Sequence, residues 1–134
     1  MVSDLTHAPI VASGQAVGEG VVTGVARFVA SARDLDKLQP GEILMAESTG
    51  PDWEPAMALA SAIVTNSGGA SSHAARTAQA AGRPAVVGTV DGASRRWTGA
   101  LITVQCAGRT GVVFEGSLKG EVDQPPAGPA SIGW

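Results

Sequence analysis

The residues best suited to chemistry lie in one Gly- and Ser-rich segment, residues 65–75, which reads TNSGGASSHAA. An apolar run precedes this segment and a helix-forming run follows it, which predicts a strand, a turn and a helix. Gly68 and Gly69 allow unusual backbone geometry and let an incoming group approach the main chain closely. The free N–H groups and the dipole at the start of a helix favour an anion. The segment therefore predicts an anion site, with His73 in the first turn of the helix.

A histidine at an anion site can act as a general base, as a hydrogen-bonding ligand, or as a nucleophile that accepts a phosphoryl group. A nucleophilic His73 needs an exposed, neutral ring nitrogen, donors for the phosphoryl oxygens and a nearby hydroxyl group. The helix N–H groups, Ser71 and Ser72 fit these needs. The residue types alone leave open an equal alternative, in which His73 is only a polar residue near a helix N-terminus.

The charge pattern around this segment also favours an anion. No acidic residue occurs between Glu54 and Asp91, and the charged residues in that stretch are Arg76 and Arg83. The local field should therefore attract a phosphate or a carboxylate. Asp52 and Glu54 are interpreted as a capped, solvated helix start rather than as a catalytic carboxylate pair.

Other common catalytic motifs do not fit this sequence. It has no P-loop pattern, and residues 18–24 lack both the spacing and the following helix of a dinucleotide-binding loop. Ser71 and Ser72 lack the Gly-x-Ser-x-Gly elbow of a serine hydrolase.

The elements that would position the site are predicted from apolar runs bounded by Gly, Pro, Asn or Asp. Residues 61–65 and 84–88 are continuous apolar runs, typical of parallel strands buried on both faces. Helices are predicted over 31–38, 52–60 and 72–81, the last with a Ser cap and Gly82 as its stop. Together these elements predict an α/β domain. The predicted strands cover 21–30, 41–46, 61–65, 85–88, 101–106 and 111–115.

Length and composition set the limits of this interpretation. The 134 residues suit one domain, with a net charge of −3 and a single cysteine. We expect no nucleic-acid partner, no internal disulfide and no metal site within this domain. We also expect no signal peptide and no membrane span, and hence a cytoplasmic protein. The predicted division is an N-terminal extension over 1–15, a domain over 16–120, and a Pro-rich tail or linker over 121–134.

Two blocks around the histidine are similar to a known family. The block GGASSHAA at 68–75, followed by GRPAVVG at 82–88, resembles the phosphohistidine domain of PEP-utilising enzymes. That family includes phosphoenolpyruvate synthase, pyruvate phosphate dikinase and enzyme I of the sugar phosphotransferase system. The flanking segments TGPDWEPAM at 49–57 and CAGRTGVVFEG at 106–116 resemble the synthase branch. The resemblance implies a swivelling β/β/α phosphohistidine domain.

The resemblance also implies roles for single residues and for partners. His73 would carry the phosphoryl group, Ser71 would supply the hydroxyl group before it, and Gly68 and Gly69 would be the paired glycines. An ATP-grasp domain would load His73 from ATP, with Mg²⁺ held there, and a TIM-barrel domain would pass the group to pyruvate or another acceptor. These partners lie in the same chain or in separate subunits, and the carrier domain itself holds no cofactor.

The sequence departs from the family pattern just after the histidine. Arg76 and Thr77 occupy two positions that are usually aliphatic, and Gln79 occupies the position of an arginine. Arg76 lies three residues after His73 and can face it on a helix, so it could replace the missing charge. The alternative is a non-catalytic relative that acts as an anion-binding or regulatory module. The predicted phosphate-binding residues are Gly68, Gly69, Ser72, Arg76 and Gln79.

Overall fold

Seven strands make up most of the regular structure in the computed structural model, which describes residues 9–69 and 71–116. These residues include two α-helices, α1 (Glu54–Met57) and α2 (His73–Ala81), and short 3-10 helices at Ala32–Lys37, Pro51–Trp53 and Arg95–Trp97. The strands are β1 (Ile10–Val17), β2 (Gly20–Phe28), β3 (Ile43–Ala46), β4 (Ala62–Thr65), β5 (Ala85–Val87), β6 (Leu101–Ala107) and β7 (Thr110–Glu115).

The strands form a closed barrel in the order β1-β5-β4-β3-β2-β6-β7, and β7 pairs with β1 to close it. The neighbours from β2 through β3 and β4 to β5 are parallel, and the remaining pairs are antiparallel. Parallel neighbours have their carboxyl ends at the same edge. The segments that leave β3 and β4 therefore start side by side, and the second of them leads to His73.

The three short parallel strands are buried on both faces. The apolar runs at 61–65 and 84–88 predict this for β4 and β5. Ile43 and Met45 pack in one apolar cluster with residues of β2, β6 and β7, which fills the barrel. Leu44 and Ala46 belong to a second cluster that includes residues of α1 and α2. The period of two along β3 thus divides its side chains between the barrel interior and the layer beneath the helices.

The predicted α/β class is confirmed only in part, because the domain is a mixed barrel with little helix. The helix predicted over 72–81 is confirmed, whereas 31–38 contains only a 3-10 helix. The helix predicted over 52–60 is shorter than expected. Its first turn is the 3-10 helix Pro51–Trp53, which begins after Gly50, and Asp52 does not cap it. No helix within 9–69 and 71–116 is both long enough and apolar enough to cross a membrane.

The boundary predicted between residues 15 and 16 falls inside β1 and is wrong. Residues 10–15 pair with β7, and Gln15 also pairs with Val87 of β5, so they belong to the barrel. The sequence IVASGQAV hides this strand, because small and polar residues interrupt its apolar positions and all but one of its eight residues are exposed or only half-buried. The tail predicted over 121–134 lies outside the described residues.

Candidate functional site

His73 is the first residue of α2, and the residue before it caps the helix. The Ser72 hydroxyl oxygen accepts a hydrogen bond from the Ala75 backbone N–H at 3.3 Å. Gly82 ends the helix in the left-handed conformation, with φ 71°. The small face of the helix packs closely, because Ala74 and Ala75 are buried. The Ser72 hydroxyl group, predicted to bind phosphate, therefore holds the helix start.

The turn before the helix depends on Gly68. Its φ is 103°, and a Cβ atom there would lie 2.9 Å from both Cβ and Oγ of Ser72. Gly69 has a different role, since its carbonyl oxygen accepts the Ser72 N–H at 3.0 Å. A Cβ atom on Gly69 would meet only the Gln15 side chain, at an ordinary contact distance of 3.7 Å. Gly68 is thus the glycine that this turn requires for steric reasons.

Hydrogen bonds reach both nitrogens of the His73 ring. Thr49 Oγ1 lies 2.7 Å from Nδ1, and Glu54 Oε2 lies 2.9 Å from Nε2. Thr77 Oγ1 lies 3.3 Å from Nε2. An ionised carboxylate can only accept a hydrogen bond. In the neutral ring, Nε2 therefore carries the hydrogen and donates it to Glu54, while the Thr49 hydroxyl group donates to Nδ1.

The barrel explains how distant residues reach this ring. The Asn66 side-chain amide, which follows β4, donates to Glu47 Oε1 at 3.0 Å and so ties the segments after β3 and β4 together. Asn66 is nearly buried, and its Oδ1 accepts hydrogen bonds from Thr89 Oγ1 and from the Ala93 N–H. These bonds hold the segment that carries Thr49 beside the turn that carries His73.

Glu54 is positioned by apolar neighbours in the chain. Trp53, immediately before it, and Met57, at the end of α1, are both buried in the cluster beneath the helices. Trp53 and Met57 thus anchor the short helix α1. Glu54 does lie at the start of α1 with a half-exposed side chain, as the interpretation of a solvated helix start expects, but its carboxylate also contacts His73. Residues 55–90 contain no acidic residue, but the fold places the Glu54 carboxylate against His73.

An open pocket of about 330 Å³ adjoins the ring, and its walls are Glu54, His73, Arg76, Thr77 and Ala80. Four of these residues share one face of α2, at spacings of three, four and seven residues from His73. Arg76 supplies the positive charge in this pocket. A phosphate-sized anion fits in such a space.

The structure brings together some of the predicted site residues and separates others. Arg76 shares the pocket with His73, as its spacing predicts. Gln79 is exposed and is not among the residues that line the pocket. Ser71 is exposed, and among residues 9–69 and 71–116 no hydrogen bond joins it to His73. A phosphate contact by Ser71 or Gln79 stays a prediction.

Sequence reasoning missed Thr49 and Glu54 as partners of the ring. Both residues belong to the segment at 49–57 that resembles the synthase branch, which is the signal that could have identified them. Thr77, noted only as a departure from the family pattern, also contacts the ring.

The sequence of this chain is similar to those of known proteins. The sequence model of the family "PEP-utilising enzyme, mobile domain" matches residues 38–109. Phosphoenolpyruvate synthase of Aquifex aeolicus is 48% identical over 116 residues, which cover 86% of this chain and 14% of the relative. The synthase of Deinococcus radiodurans is 47% identical, covering 86% of this chain and 15% of the relative. The synthase of Escherichia coli is 43% identical, covering 78% and 13%.

The chain thus spans about one seventh of the length of the curated relatives it matches. Among solved structures, an NMR solution structure of Enzyme I aligns with a TM-score of 0.49 and 27% identity. That alignment covers 60% of this chain and 33% of the other. The family match covers more than half of the 134 residues. The protein belongs to the family of mobile domains of PEP-utilising enzymes.

Proposed function

We propose that this chain is the phosphoryl-carrier domain of a PEP synthase-like phosphotransferase. His73 receives a phosphoryl group from ATP on an ATP-grasp domain and delivers it to pyruvate, or to another acceptor, on a TIM-barrel domain. The partner domains lie in the same chain or in separate subunits, and the carrier swivels between them. The family membership and the synthase relatives support this proposal. A cytoplasmic location stays a prediction.

The observation that carries the proposal is the unequal environment of the two ring nitrogens. Thr49 binds Nδ1 at 2.7 Å on one side of the ring. Nε2 lies toward the open pocket that also contains the Arg76 guanidinium group. A phosphoryl group can therefore reach Nε2 without disturbing Thr49. We assign Nε2 as the nucleophilic atom.

The transfer requires a free lone pair on Nε2. The bond from Nε2 to phosphorus forms, the bond from phosphorus to the nucleotide oxygen breaks, and the nucleotide leaves with the electron pair. The Nε2 hydrogen leaves the ring during this step and passes to a phosphate oxygen of the departing nucleotide. A hydroxyl group can donate or accept, so Thr49 can hold the ring whether Nδ1 is bare or protonated. Arg76 would neutralise part of the phosphoryl charge. Mg²⁺ would act on the ATP-binding partner, where it offsets the charge of the donor.

A second candidate function is a non-catalytic relative that binds an anion. Two observations favour it, namely the carboxylate of Glu54 against Nε2 and the exposure of Gln79 away from the pocket. In this alternative the His73 ring only holds the site together. The two functions differ in whether His73 becomes covalently phosphorylated.

Intact-mass measurement distinguishes them. The protein is purified from its host under cold, neutral conditions, and half of the sample is treated with acid. Phosphohistidine is lost in acid and phosphoserine survives, so we expect an acid-labile phosphoryl group that maps to His73. The His73→Ala variant should stay folded and carry none. Absence of the group after incubation with an ATP-grasp partner and ATP would favour the non-catalytic alternative, and phosphate on the variant would refute His73 as the acceptor.

A further inference from the structure

The Glu54 carboxylate occupies the position that a phosphoryl group on His73 would need. Its Oε2 atom lies 2.9 Å from Nε2, while its side chain is 52% exposed and the imidazole is 20% exposed. The carboxylate therefore covers the reactive nitrogen from the solvent side. The empty carrier has a charge-assisted hydrogen bond at the atom that must react.

This contact has opposite effects on the empty and the loaded carrier. In the empty carrier, the bond from Nε2–H to the carboxylate is stabilising, as hydrogen bonds to ionised groups are. In the loaded carrier, Nε2 has no hydrogen to donate, and a phosphoryl group with negative charge adjoins a negative carboxylate. Like charges at such a distance repel. Both effects raise the free energy of the loaded carrier relative to the empty one.

The backbone around Glu54 keeps the carboxylate near the pocket. Trp53 and Met57 are buried on either side of it, so the side chain can turn away from Nε2 while its Cα atom stays in place. The charged side chains that line the pocket are Glu54 and Arg76, together with the titratable His73 ring. Arg76 attracts the phosphoryl group and Glu54 repels it. The balance between these two residues determines how strongly the loaded carrier is destabilised.

We propose that Glu54 sets the phosphoryl-transfer potential of His73. It holds Nε2 in the empty carrier and repels the phosphoryl group in the loaded one, so that the group is readily given up to an acceptor. The inference rests on the proposed carrier function. It gives Glu54 a role in that function, which is to raise the free energy of the phosphorylated carrier relative to the empty one.

The test is an equilibrium measured on the whole chain with a small donor. Phosphoramidate transfers its phosphoryl group to Nε2, which breaks the bond from phosphorus to the amine nitrogen and releases ammonia. The Nε2 hydrogen moves to the leaving amine. At fixed pH, phosphoramidate and ammonia concentrations, phosphorus NMR gives the amount of phosphorylated His73, and the known total protein concentration then gives its ratio to free His73. We expect Glu54→Gln to raise this ratio about tenfold, the low end of what one hydrogen bond to a charged group contributes.

Asp52→Asn is the matched control, since it removes an exposed carboxylate in the turn just before Glu54. It should leave the ratio unchanged, and circular dichroism checks that all variants are folded. A ratio that does not rise in Glu54→Gln, or that rises as much in Asp52→Asn, would overturn the inference and leave the carrier function intact. If none of the folded proteins takes up phosphate on His73, the carrier function fails and the inference fails with it.

Discussion

At the scale of single residues, the orientation of the His73 ring follows from the different hydrogen-bond partners of its two nitrogens. A hydroxyl group binds Nδ1 and a carboxylate binds Nε2. A hydroxyl group suits either tautomer, whereas an ionised carboxylate suits only a protonated nitrogen. Thr49 can therefore keep its contact through a reaction cycle, and Glu54 must lose its contact whenever Nε2 is modified.

Val90 is a residue whose backbone conformation is strained. Its φ is 73°, the residue is 79% exposed, and the following N–H, of Asp91, bonds back to the Thr89 carbonyl oxygen at 2.8 Å in a tight turn. A β-branched residue is disfavoured in the left-handed region. Because the side chain has little packing to lose, we expect Val90→Gly to raise the free energy of unfolding by about 1 kcal/mol, measured by urea denaturation.

Val90→Ala is the control for this prediction. It removes the branched side chain but keeps a Cβ atom, so most of the backbone strain should remain. An equal gain in both variants would show that the exposed branch, rather than the positive φ, is the cause.

At the scale of elements, the link between β4 and α2 is a turn in which one glycine cannot be replaced. Gly68→Ala places a Cβ atom 2.9 Å from Ser72, the cap of α2, in a residue with φ 103°. We expect it to lower the free energy of unfolding by about 2 kcal/mol, because strain and a displaced cap add together. Urea denaturation gives the free energy, and the phosphoramidate reaction reports whether His73 still takes up a phosphoryl group.

Gly69→Ala is the matched comparison in the same turn. Its added Cβ atom meets Gln15 at an ordinary 3.7 Å, so we expect a change within about 0.5 kcal/mol. Similar losses in the two variants would mean that the turn tolerates no side chain at all, which would contradict the steric distinction between the two glycines.

The same element shows which features the sequence could predict. The turn, the Ser72 cap and the Gly82 stop are local signals, and the structure confirms all three. Thr49 lies 24 residues from His73 and Glu54 lies 19 residues from it, and these contacts exist because β3 and β4 are neighbours. Periodicity carries no information about such neighbours. β1 was missed for a different reason, since its half-exposed pattern is weak and its partners β5 and β7 lie late in the chain.

At the scale of the whole molecule, the barrel closes where β1 joins both β5 and β7. Gly14 of β1 is paired directly with Gly111 of β7 at this seam. The absence of side chains on these two residues leaves room inside the barrel for the Val86 side chain of β5. A Cβ atom on Gly111 would lie 2.5 Å from Cγ2 of Val86, a residue that is fully buried. Closure of the barrel therefore depends on the Val86 side chain filling the space that Gly111 leaves open.

This fit can be tested as a coupling between two residues. Gly111→Ala should lower the free energy of unfolding by about 2 kcal/mol through overpacking, and Val86→Ala should lower it by about 2 kcal/mol through a cavity. In the double variant the new methyl group enters the space that Val86 vacates. The double variant should therefore lose about 1 kcal/mol less free energy of unfolding than the two single variants added together. Urea denaturation of the four proteins measures this coupling. Additive losses would mean that the seam adjusts to the added methyl group on its own, and the paired glycines would then not be what sets the closure of the barrel.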